Sequence, residues 1–205
     1  MVIDFEQLSG IDGYRWLTRL VIPRPIGWVS TISADGKTNI APFSWFQTVG
    51  SRPPMLMVAV GKRKNASGAL VAKDTARNAE ATRECVIHLP ERAQIEACVK
   101  TSADLPPEQS EFDFAGLTAV PASKVGPPRV EGCRVAFECA VEELIEREGW
   151  RTSLIIARIL CAHVDPSLIA DDGGLKVDDW RPIARLGGSQ YAELGERFEL
   201  ERPSH

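Results

Sequence analysis

The chain has 205 residues and a formal net charge of −4, with 44% hydrophobic and 25% charged residues. This length predicts a single domain over residues 1–205, built around one hydrophobic core. The acidic balance disfavours a nucleic-acid-binding protein, which needs a concentrated cationic face, and no apolar run is long enough to cross a bilayer.

The N-terminal residues 1–6 lack the basic start and the continuous apolar stretch of a secretory signal, so we expect a cytoplasmic protein. The five cysteines are odd in number and include no Cys-x-x-Cys pair, which argues against a disulfide framework or a zinc knuckle. We interpret them as reduced and mostly buried, with a catalytic thiol as the less favoured alternative. The cysteines are Cys85, Cys98, Cys133, Cys139 and Cys161.

A β-hairpin is predicted near the start of the chain. Residues 26–33 are apolar and β-branched, residues 34–37 have turn chemistry, and residues 38–49 resume an extended pattern. After two prolines, the apolar run over residues 55–60 predicts a central strand that is buried on both faces.

Short helices are predicted in the middle of the chain. Residues 75–83 are rich in Ala, Arg and Glu and follow the polar pair Lys73-Asp74, which suits a helix N-terminus. Residues 84–89 have the pattern of a strand, and residues 91–100 that of an amphipathic helix. The polar, aperiodic stretch 101–114 predicts a surface excursion that either covers a site or is mobile.

Two long strands are predicted next, over residues 134–146 and 151–164. The first alternates apolar and polar residues, which indicates one solvated face, and the second is more apolar. Many strands and few helices, without repeated strand-helix-strand spacing, favour a mostly β fold in the form of a closed antiparallel barrel.

Four segments carry candidate binding residues. In residues 23–31, prolines stiffen the entry to a strand and suit the wall of a ligand site, although composition alone favours an edge strand. In residues 39–46, Pro42 should break the strand or cause a bulge. The freed backbone groups could bind the edge of a flat heterocycle, or the segment is an ordinary core strand with Phe43 or Trp45 packed inward.

The third segment, residues 73–78, places a lysine before a helix start, whose N–H groups and positive dipole end attract an anion. A phosphate monoester fits, with Thr75 capping its own helix and donating its hydroxyl to a phosphate oxygen while Lys73 supplies charge. The basic cluster at residues 62–64 adds positive potential. A plain helix cap with solvated charges is the commoner meaning of such a hexamer.

In the fourth segment, residues 182–191, paired glycines allow a close backbone approach and Tyr191 offers a ring with a polar tip, and a turn between two strands is the alternative. The sequence holds no Gly-x-Gly-x-x-Gly fingerprint, Walker-type loop or supported Ser-His-Asp set. The histidines are too scattered to predict a metal site, and we expect His88 and His163 to be hydrogen-bonded strand residues. The third histidine is His205.

In combination and order, these four segments resemble the flavin reductase-like family, the FMN-binding split barrels that include flavoredoxin-like proteins and reductase components of two-component monooxygenases. The resemblance runs from about Arg19 to Tyr191. Its more specific parts are the Lys-Asp-Thr-x-x-Asn string over residues 73–78 and the Arg-Leu-Gly-Gly-x-x-Tyr string over residues 185–191. It implies an antiparallel Greek-key split β-barrel and a homodimer with one FMN per subunit near the interface.

The resemblance also implies roles for individual residues. Ser30 and Thr31 would contact the edge of the isoalloxazine. The residues lining the ring or its ribityl chain would be Asn39, Ala41, Ser44 and Phe46, and those holding the phosphate end would be Lys73, Asp74, Thr75 and Asn78. The loop over residues 61–72 and the acidic pair at residues 171–172 depart from the family pattern, which affects the substrate assignment rather than flavin binding.

The implied activity is hydride transfer from NADH or NADPH to FMN, followed by delivery of the electrons to a second acceptor such as a partner monooxygenase. No catalytic side chain is predicted, because the cofactor carries this chemistry. FMN could stay tightly bound or act as a diffusing substrate. A flavin-storage protein and a pyridoxamine-phosphate-oxidase-like enzyme are the alternatives.

Overall fold

The structure is a computed structural model that describes residues 1–106 and 109–203. Strands account for 36% of the protein and helices for 18%, so the fold is mostly β, as predicted. Among the described residues, none of the helices has both the length and the apolar character needed to cross a membrane.

The regular elements are numbered in chain order. The strands are β1 (Arg24–Pro25), β2 (Gly27–Ile32), β3 (Thr38–Phe43), β4 (Phe46–Ser51), β5 (Pro54–Gly61), β6 (Arg63–Lys64), β7 (Leu70–Val71), β8 (Glu84–His88), β9 (Ala119–Val120), β10 (Arg129–Val130), β11 (Val135–Ile145), β12 (Thr152–Val164), β13 (Ala184–Arg185) and β14 (Tyr191–Ala192). The helices are α1 (Gly10–Leu20), α2 (Asp74–Thr82), α3 (Ile95–Lys100) and α4 (Glu111–Ala115), with 3₁₀ turns at Arg92–Gln94 and Pro166–Leu168.

A seven-stranded antiparallel sheet forms the body of the molecule, in the order β3-β2-β8-β11-β12-β5-β4. Its two outer strands, β3 and β4, are consecutive in the chain and are joined by only Ser44 and Trp45. Because two residues cannot span the width of a flat sheet, the sheet must curl until its edges meet. This closure confirms the predicted antiparallel barrel.

The barrel interior is filled by side chains from one face of the sheet. Along β5, Leu56, Val58 and Val60 are buried and point inward, and Ile155 and Ala157 of β12 lie in the same cluster. The helix α2 closes this interior with Ala76 and Ala79, which are 2% and 0% exposed. The inward alternation is what fixes the register of these strands.

A second apolar cluster lies on the opposite face of β2 and β3. Trp28 and Ile40 from these strands pack with Cys98 of α3 and Phe112 of α4, so both helices cover the outside of the barrel here. Next to this cluster, β1, β13 and β14 form a small sheet. Two further pairs are the β9-β10 ladder and the β6-β7 hairpin.

The predicted hairpin is confirmed as β2 and β3, but the second arm is not continuous to residue 49. The strand ends at Phe43 and restarts at Phe46, because the chain passes there from one edge of the sheet to the other. Pro42 itself stays in register with Trp28, and it is tolerated because β3 is an edge strand. The break therefore falls after Pro42, not at it.

Residues 55–60 form a strand, as predicted, but the expectation that this strand is central and buried on both faces is wrong. The corresponding strand, β5, lies one place from the edge, between β12 and β4. Its inward residues are buried, whereas Met55 and Met57 on the outer face are only half-buried. A continuous apolar run here reflects an apolar outer surface.

The predicted helix over residues 75–83 is confirmed as α2, and the predicted helix over residues 91–100 is a 3₁₀ turn followed by α3. Two helices had no sequence prediction. The first is α1, and the second is α4, which begins within the stretch expected to be an irregular excursion, with Ser110 as its N-cap. Residues 107 and 108 of that stretch, and His205, lie outside the described residues.

The cysteines are all free, and three of them are buried, in line with the sequence interpretation. His88 is fully buried in β8, where its Nδ1 bonds the Trp28 carbonyl and its Nε2 accepts from the Val130 N–H, both at 2.9 Å. This confirms the expected hydrogen-bonded strand histidine.

Candidate functional site

The N-terminus of α2 opens into a small cavity of about 70 Å³. Lys73 is the N-cap residue, with extended backbone angles, so the N–H groups of Asp74 and Thr75 lie in the first turn, where a helix supplies no acceptor. The cavity collects residues from five parts of the chain. They are Asn39, Ala41, Pro42, Phe43, Arg63, Lys73, Asp74, Thr75, Thr101, Ser102, Ala103, Asp104, Leu105 and Glu111.

A buried polar network supports the floor of this cavity. The Asn39 amide nitrogen donates to Thr31 Oγ1 at 3.2 Å and to Thr75 Oγ1 at 3.1 Å, and the Asn78 amide nitrogen donates to Thr31 Oγ1 at 3.2 Å. All four residues are at least 92% buried. Because Thr75 Oγ1 accepts from Asn39, its own hydroxyl hydrogen remains available for an acceptor in the cavity.

Thr75 does not cap its own helix, contrary to the expectation from sequence. The cap position belongs to Lys73, and α2 has no side-chain capping hydrogen bond. The reason is positional: Thr75 is the second residue inside the helix, and its hydroxyl is already held by Asn39. The hydroxyl is therefore free of a capping role.

The cavity is lined by charges of both signs. Lys73 Nζ lies 3.8 Å from Asp104, Asp74 pairs with Arg77 on the outer side of α2, and Arg63 of β6 contributes a second cation. Glu111 Oε2 accepts from a backbone N–H of β3 at 3.4 Å, and burial raises the pKa of this carboxyl above its usual value. An anion entering the cavity would compete with Asp104 for Lys73.

A larger cavity of about 910 Å³ adjoins the small one, and both are lined by Pro42 and Phe43. Tyr14 of α1 and Trp45 form its aromatic wall, with ring centroids 6.4 Å apart and planes inclined by 30°. The other side is formed by the outer faces of β5 and β12. The remaining lining residues are Ser9, Gly10, Ile11, Ser44, Ala59, Gly61, Arg151 and Thr152.

Arg24, from the proline-flanked segment, fixes the geometry between α1 and this region. Its Nη1 donates to the carbonyl oxygens of Thr18 and Val21, each at 2.6 Å, and its Nε lies 3.4 Å from Ser44 Oγ. Its Nη2 donates to the carbonyl oxygen of Leu186 at 3.0 Å. The segment thus holds the end of α1 through Arg24 and forms an edge strand through β1, which pairs with β13.

Most of the residues assigned by resemblance come together. Asn39, Ala41, Lys73, Asp74 and Thr75 line the small cavity, and Thr31 and Asn78 lie beneath it. Ser44 lines the larger cavity.

Two of the assigned residues lie elsewhere. Ser30 points to the opposite face of β2 from Thr31, where its hydroxyl donates to the carbonyl oxygen of Pro128 at 2.5 Å. Phe46 is 9% exposed and packs in the barrel core, against the backbone of Gly27. Neither side chain lines the small or the large cavity.

Sequence reasoning missed several lining residues, among them Tyr14, Ser102 and Glu111. They lie on α1, after α3 and on α4, segments that carried no motif. The residues of the basic cluster at 62–64 do not all face the small cavity. Arg63 lines it, whereas Lys62 pairs with Glu146 at 3.3 Å.

A separate polar group lies on β11 and β12. Glu138, Cys161 and His163 place possible ligand atoms within 4.8 Å of one another, which the expectation of scattered histidines did not foresee. Glu138 already accepts from the N–H groups of Ser123 and Lys124, both at 2.6 Å, and bonds His163 Nε2 at 2.5 Å. These bonds make it a buried anchor for the loop after β9.

The donors around the small cavity fit a phosphate group. First-turn N–H groups, the Thr75 hydroxyl and the cations of Arg63 and Lys73 are the groups that proteins use for phosphate. The cavity is far too small for a ring system, but the adjoining one has the size of a typical cofactor site. Together they fit a molecule with a small anionic end and a large flat end.

The chain is similar to known proteins over most of its length. Residues 18–176 match the family model described as flavin reductase like domain. YwrF of Bacillus subtilis (strain 168), an uncharacterized protein, is 39% identical over 208 residues, covering 99% of this chain and 99% of YwrF. The crystal structure of nitrilotriacetate monooxygenase component B from Bacillus cereus is 33% identical, with a TM-score of 0.91 and 98% of each chain covered.

A protein from Shewanella frigidimarina NCIMB 400, whose structure is described as containing a split barrel domain, is 21% identical with a TM-score of 0.82. The alignment covers 97% of this chain and 96% of that one. At this identity the likeness concerns the fold, and it confirms the predicted split barrel.

Proposed function

The chain belongs to the family of flavin reductase-like domains, and from this membership we propose that it is an oxidoreductase that binds FMN non-covalently and passes electrons from NADH or NADPH through it to a second acceptor. The observation that carries the proposal is the phosphate-fitting cavity at the N-terminus of α2, joined to an aromatic-walled cavity of about 910 Å³. We propose that residues 1–205 form one such flavin-binding domain.

The small cavity would hold the phosphate end of FMN. Thr75 would donate its hydroxyl, Lys73 and Arg63 would supply charge, and the N–H groups of the first turn would bind the remaining oxygens. The network of Thr31, Asn39, Thr75 and Asn78 holds these donors in place before the ligand arrives. A site that is already ordered loses less entropy on binding.

The larger cavity would hold the isoalloxazine ring. Pro42 and Phe43 lead from one cavity to the other, and Tyr14 and Trp45 form an aromatic wall against which the flat ring would pack. When bound, FMN supplies the hydride and electron chemistry. The residues of this chain therefore need only orient the ring and the two substrates.

Electron delivery to a partner monooxygenase is supported by the likeness to nitrilotriacetate monooxygenase component B, whose name describes one component of such a system. The choice of FMN rather than another flavin is supported by the size of the α2 cavity, which admits one phosphate group. The five free cysteines support a reducing, cytoplasmic location.

A homodimer is supported by the outer face of β5 and β12. Met55, Met57, Leu154 and Ile156 point away from the barrel core and are only half-buried. The same face continues along both strands into the large cavity. A second subunit on this face would bury these apolar side chains and close the cavity, and the flavin would then lie near the interface.

The direct test is a spectroscopic titration of the purified protein with FMN. We expect a perturbed flavin absorbance spectrum and quenched flavin fluorescence at micromolar protein, followed by steady oxidation of NADH or NADPH. Binding without oxidation would indicate a flavin-storage protein. The absence of any spectral change would contradict the proposal.

A further inference from the structure

A third cavity, of about 280 Å³, lies between α1, β3 and the β13-β14 hairpin. Two arginines, Arg24 and Arg185, line it together with polar groups from Thr18, Ser44 and Ser102. Within the part of the chain that the structure describes, no aspartate or glutamate lines this cavity. The charged side chains that line this cavity are therefore all cationic.

Arg24 carries a buried charge that no carboxylate compensates among the described residues. It is 7% exposed, and its hydrogen-bond partners are three carbonyl oxygens and one hydroxyl. Among residues 1–106 and 109–203, no carboxylate pairs with Arg24 or Arg185. Burial lowers the pKa of the Arg24 guanidinium; the Tyr14 phenol raises it, and the like charge of Arg185 lowers it.

Burying a guanidinium without a counter-charge is costly, and a second cation beside it adds repulsion. Carbonyl oxygens satisfy the hydrogens of Arg24 but do not neutralise its charge. An anion in the cavity would remove both penalties. This is the electrostatic pattern expected of a binding site rather than of a structural ion pair.

Arg185 is the residue that can reach such an anion. Its guanidinium lies 4.4 Å from the centroid of the Tyr191 ring, and it donates to the Tyr191 hydroxyl and to the carbonyl oxygen of Gly188. An arginine has five N–H donors, so further donors remain for a ligand. Ser44 Oγ, which accepts from Arg24, can also donate its hydrogen into the cavity.

The cavity is a side branch of the proposed flavin site. It shares Tyr14, Pro42 and Ser44 with the large cavity, and Pro42 and Ser102 with the small one. A group held here would therefore lie beside the flavin and not in its place. At about 280 Å³, the space suits one functional group of a substrate rather than a whole cofactor.

We propose that Arg24, Arg185 and Ser44 form an oxyanion subsite that binds the phosphate or carboxylate group of the substrate exchanging electrons with the flavin. The proposal rests on the proposed flavin function and adds a substrate class to it, namely anionic substrates. Arg185 is the specificity-determining contact, and Arg24 supplies a fixed positive field.

Arginine labelling tests the subsite without relying on turnover. Peptide mass spectrometry follows the modification of three arginines by phenylglyoxal: Arg185, Arg63 and the exposed control Arg92. The reaction is run on FMN-saturated and on FMN-free protein, each with inorganic phosphate or benzoate added. We expect phosphate, benzoate or both to slow the modification of Arg185 in a saturable way and to leave Arg92 unchanged. Equal effects at Arg185 and Arg92, or none at Arg185, would overturn the proposal.

The two anions distinguish between the phosphate and the carboxylate as the substrate group that binds the subsite. Protection by phosphate alone indicates a dinucleotide phosphate, and protection by benzoate alone indicates an organic acid, whereas protection by both indicates a site that recognises charge. Arg63 lines the FMN phosphate cavity, so its protection by FMN reports on the proposed function separately. If FMN does not protect Arg63 while an added anion still protects Arg185, the result would contradict flavin binding and not the subsite.

A variant series gives the second readout. We expect Arg185→Gln to raise the KM of an anionic substrate by roughly tenfold, because one charged hydrogen bond is lost, with the Kd for FMN unchanged. Arg185→Lys should recover part of the loss, and the control Arg92→Gln should behave like the wild type. A parallel rise in the Kd for FMN, or no change in KM, would refute the assignment of Arg185.

Discussion

Thr75 Oγ1 accepts a hydrogen bond from the side-chain amide of Asn39 at 3.1 Å, so its hydroxyl hydrogen is available for another acceptor. We predict that Thr75→Ala weakens FMN binding by about ten- to a hundredfold, since a hydrogen bond to a charged group contributes roughly 1.5–3 kcal/mol. Riboflavin, which lacks the phosphate, should bind Thr75→Ala and wild type alike. Titration with both flavins by fluorescence quenching makes the comparison.

The matched control is Thr75→Ser, which keeps the hydroxyl and should retain FMN affinity close to that of the wild type. Because α2 has no side-chain cap from Thr75, loss of a cap does not complicate the result. Equal weakening of FMN and riboflavin by Thr75→Ala would show that Thr75 only supports Asn39 and does not contact phosphate.

The helix start at residues 73–75 and its N–H donors could be predicted because they are consecutive in the sequence. The β2-β3 hairpin could be predicted for the same reason, from alternation and a local turn. The break after Phe43 could not, because it follows from which sheet edges β3 and β4 occupy. Strand order is a tertiary property that local patterns do not encode.

The missed site residues share a physical cause. Tyr14 lies on a helix that contains Gly10 and Gly13, whose low helix propensity hides the element, and only Thr18 of that helix is buried. Ser102 and Glu111 reach the cavity because α3 and α4 pack on the outer face of β2 and β3. Such residues become visible only when the packing is known.

The outer face of β5 and β12 leads to a prediction about assembly. Ile156 pairs in register with Met57 on this face, and both are only half-buried. We expect light scattering to give twice the chain mass for the wild type and the monomer mass for Ile156→Lys, because a buried lysine without a partner opposes association. Circular dichroism would check that the fold survives.

The control for this change lies on the same strand. Val164, at the far end of β12, is 36% exposed. Val164→Lys should therefore leave the mass measured by light scattering unchanged. A wild-type protein that scatters as a monomer, or an Ile156→Lys protein that remains dimeric, would rule out this face as the interface.

Glu138 anchors the loop that follows β9. Burial alone would raise the pKa of this carboxyl, but the N–H groups of Ser123 and Lys124, together with His163, hold it below its usual value. We expect Glu138→Ala to lower the free energy of unfolding by about 3 kcal/mol, since it removes the acceptor of several hydrogen bonds in a buried site. Urea denaturation measures this loss.

Glu142, on the same strand, provides the comparison. It pairs with Arg158 at 2.5 Å, but both side chains are more than 40% exposed, so Glu142→Ala should change stability by less than about 1 kcal/mol. Similar losses for the two variants would mean that the Glu138 carboxylate does not anchor the loop.

His88 is fully buried between the Trp28 carbonyl and the Val130 N–H. Burial lowers the pKa of His88 from 6.5 to about 4; the bond to Trp28 opposes this shift, and the charges of Arg129 and His163 add to it. The folded state therefore holds a neutral imidazole that donates from Nδ1 and accepts at Nε2.

Because the folded pKa of His88 lies below the unfolded one, the unfolded chain takes up the proton first as the pH falls. Stability is therefore full above the unfolded pKa of 6.5 and decreases until the folded pKa of about 4 is reached. Between about pH 7 and about pH 5 this linkage should lower the free energy of unfolding by roughly 2 kcal/mol. His88→Gln can donate and accept at the same positions without titrating, so its stability should lack this contribution. Urea denaturation of both proteins at the two pH values gives the comparison, and parallel losses in the two would exclude His88 as the source of the pH dependence.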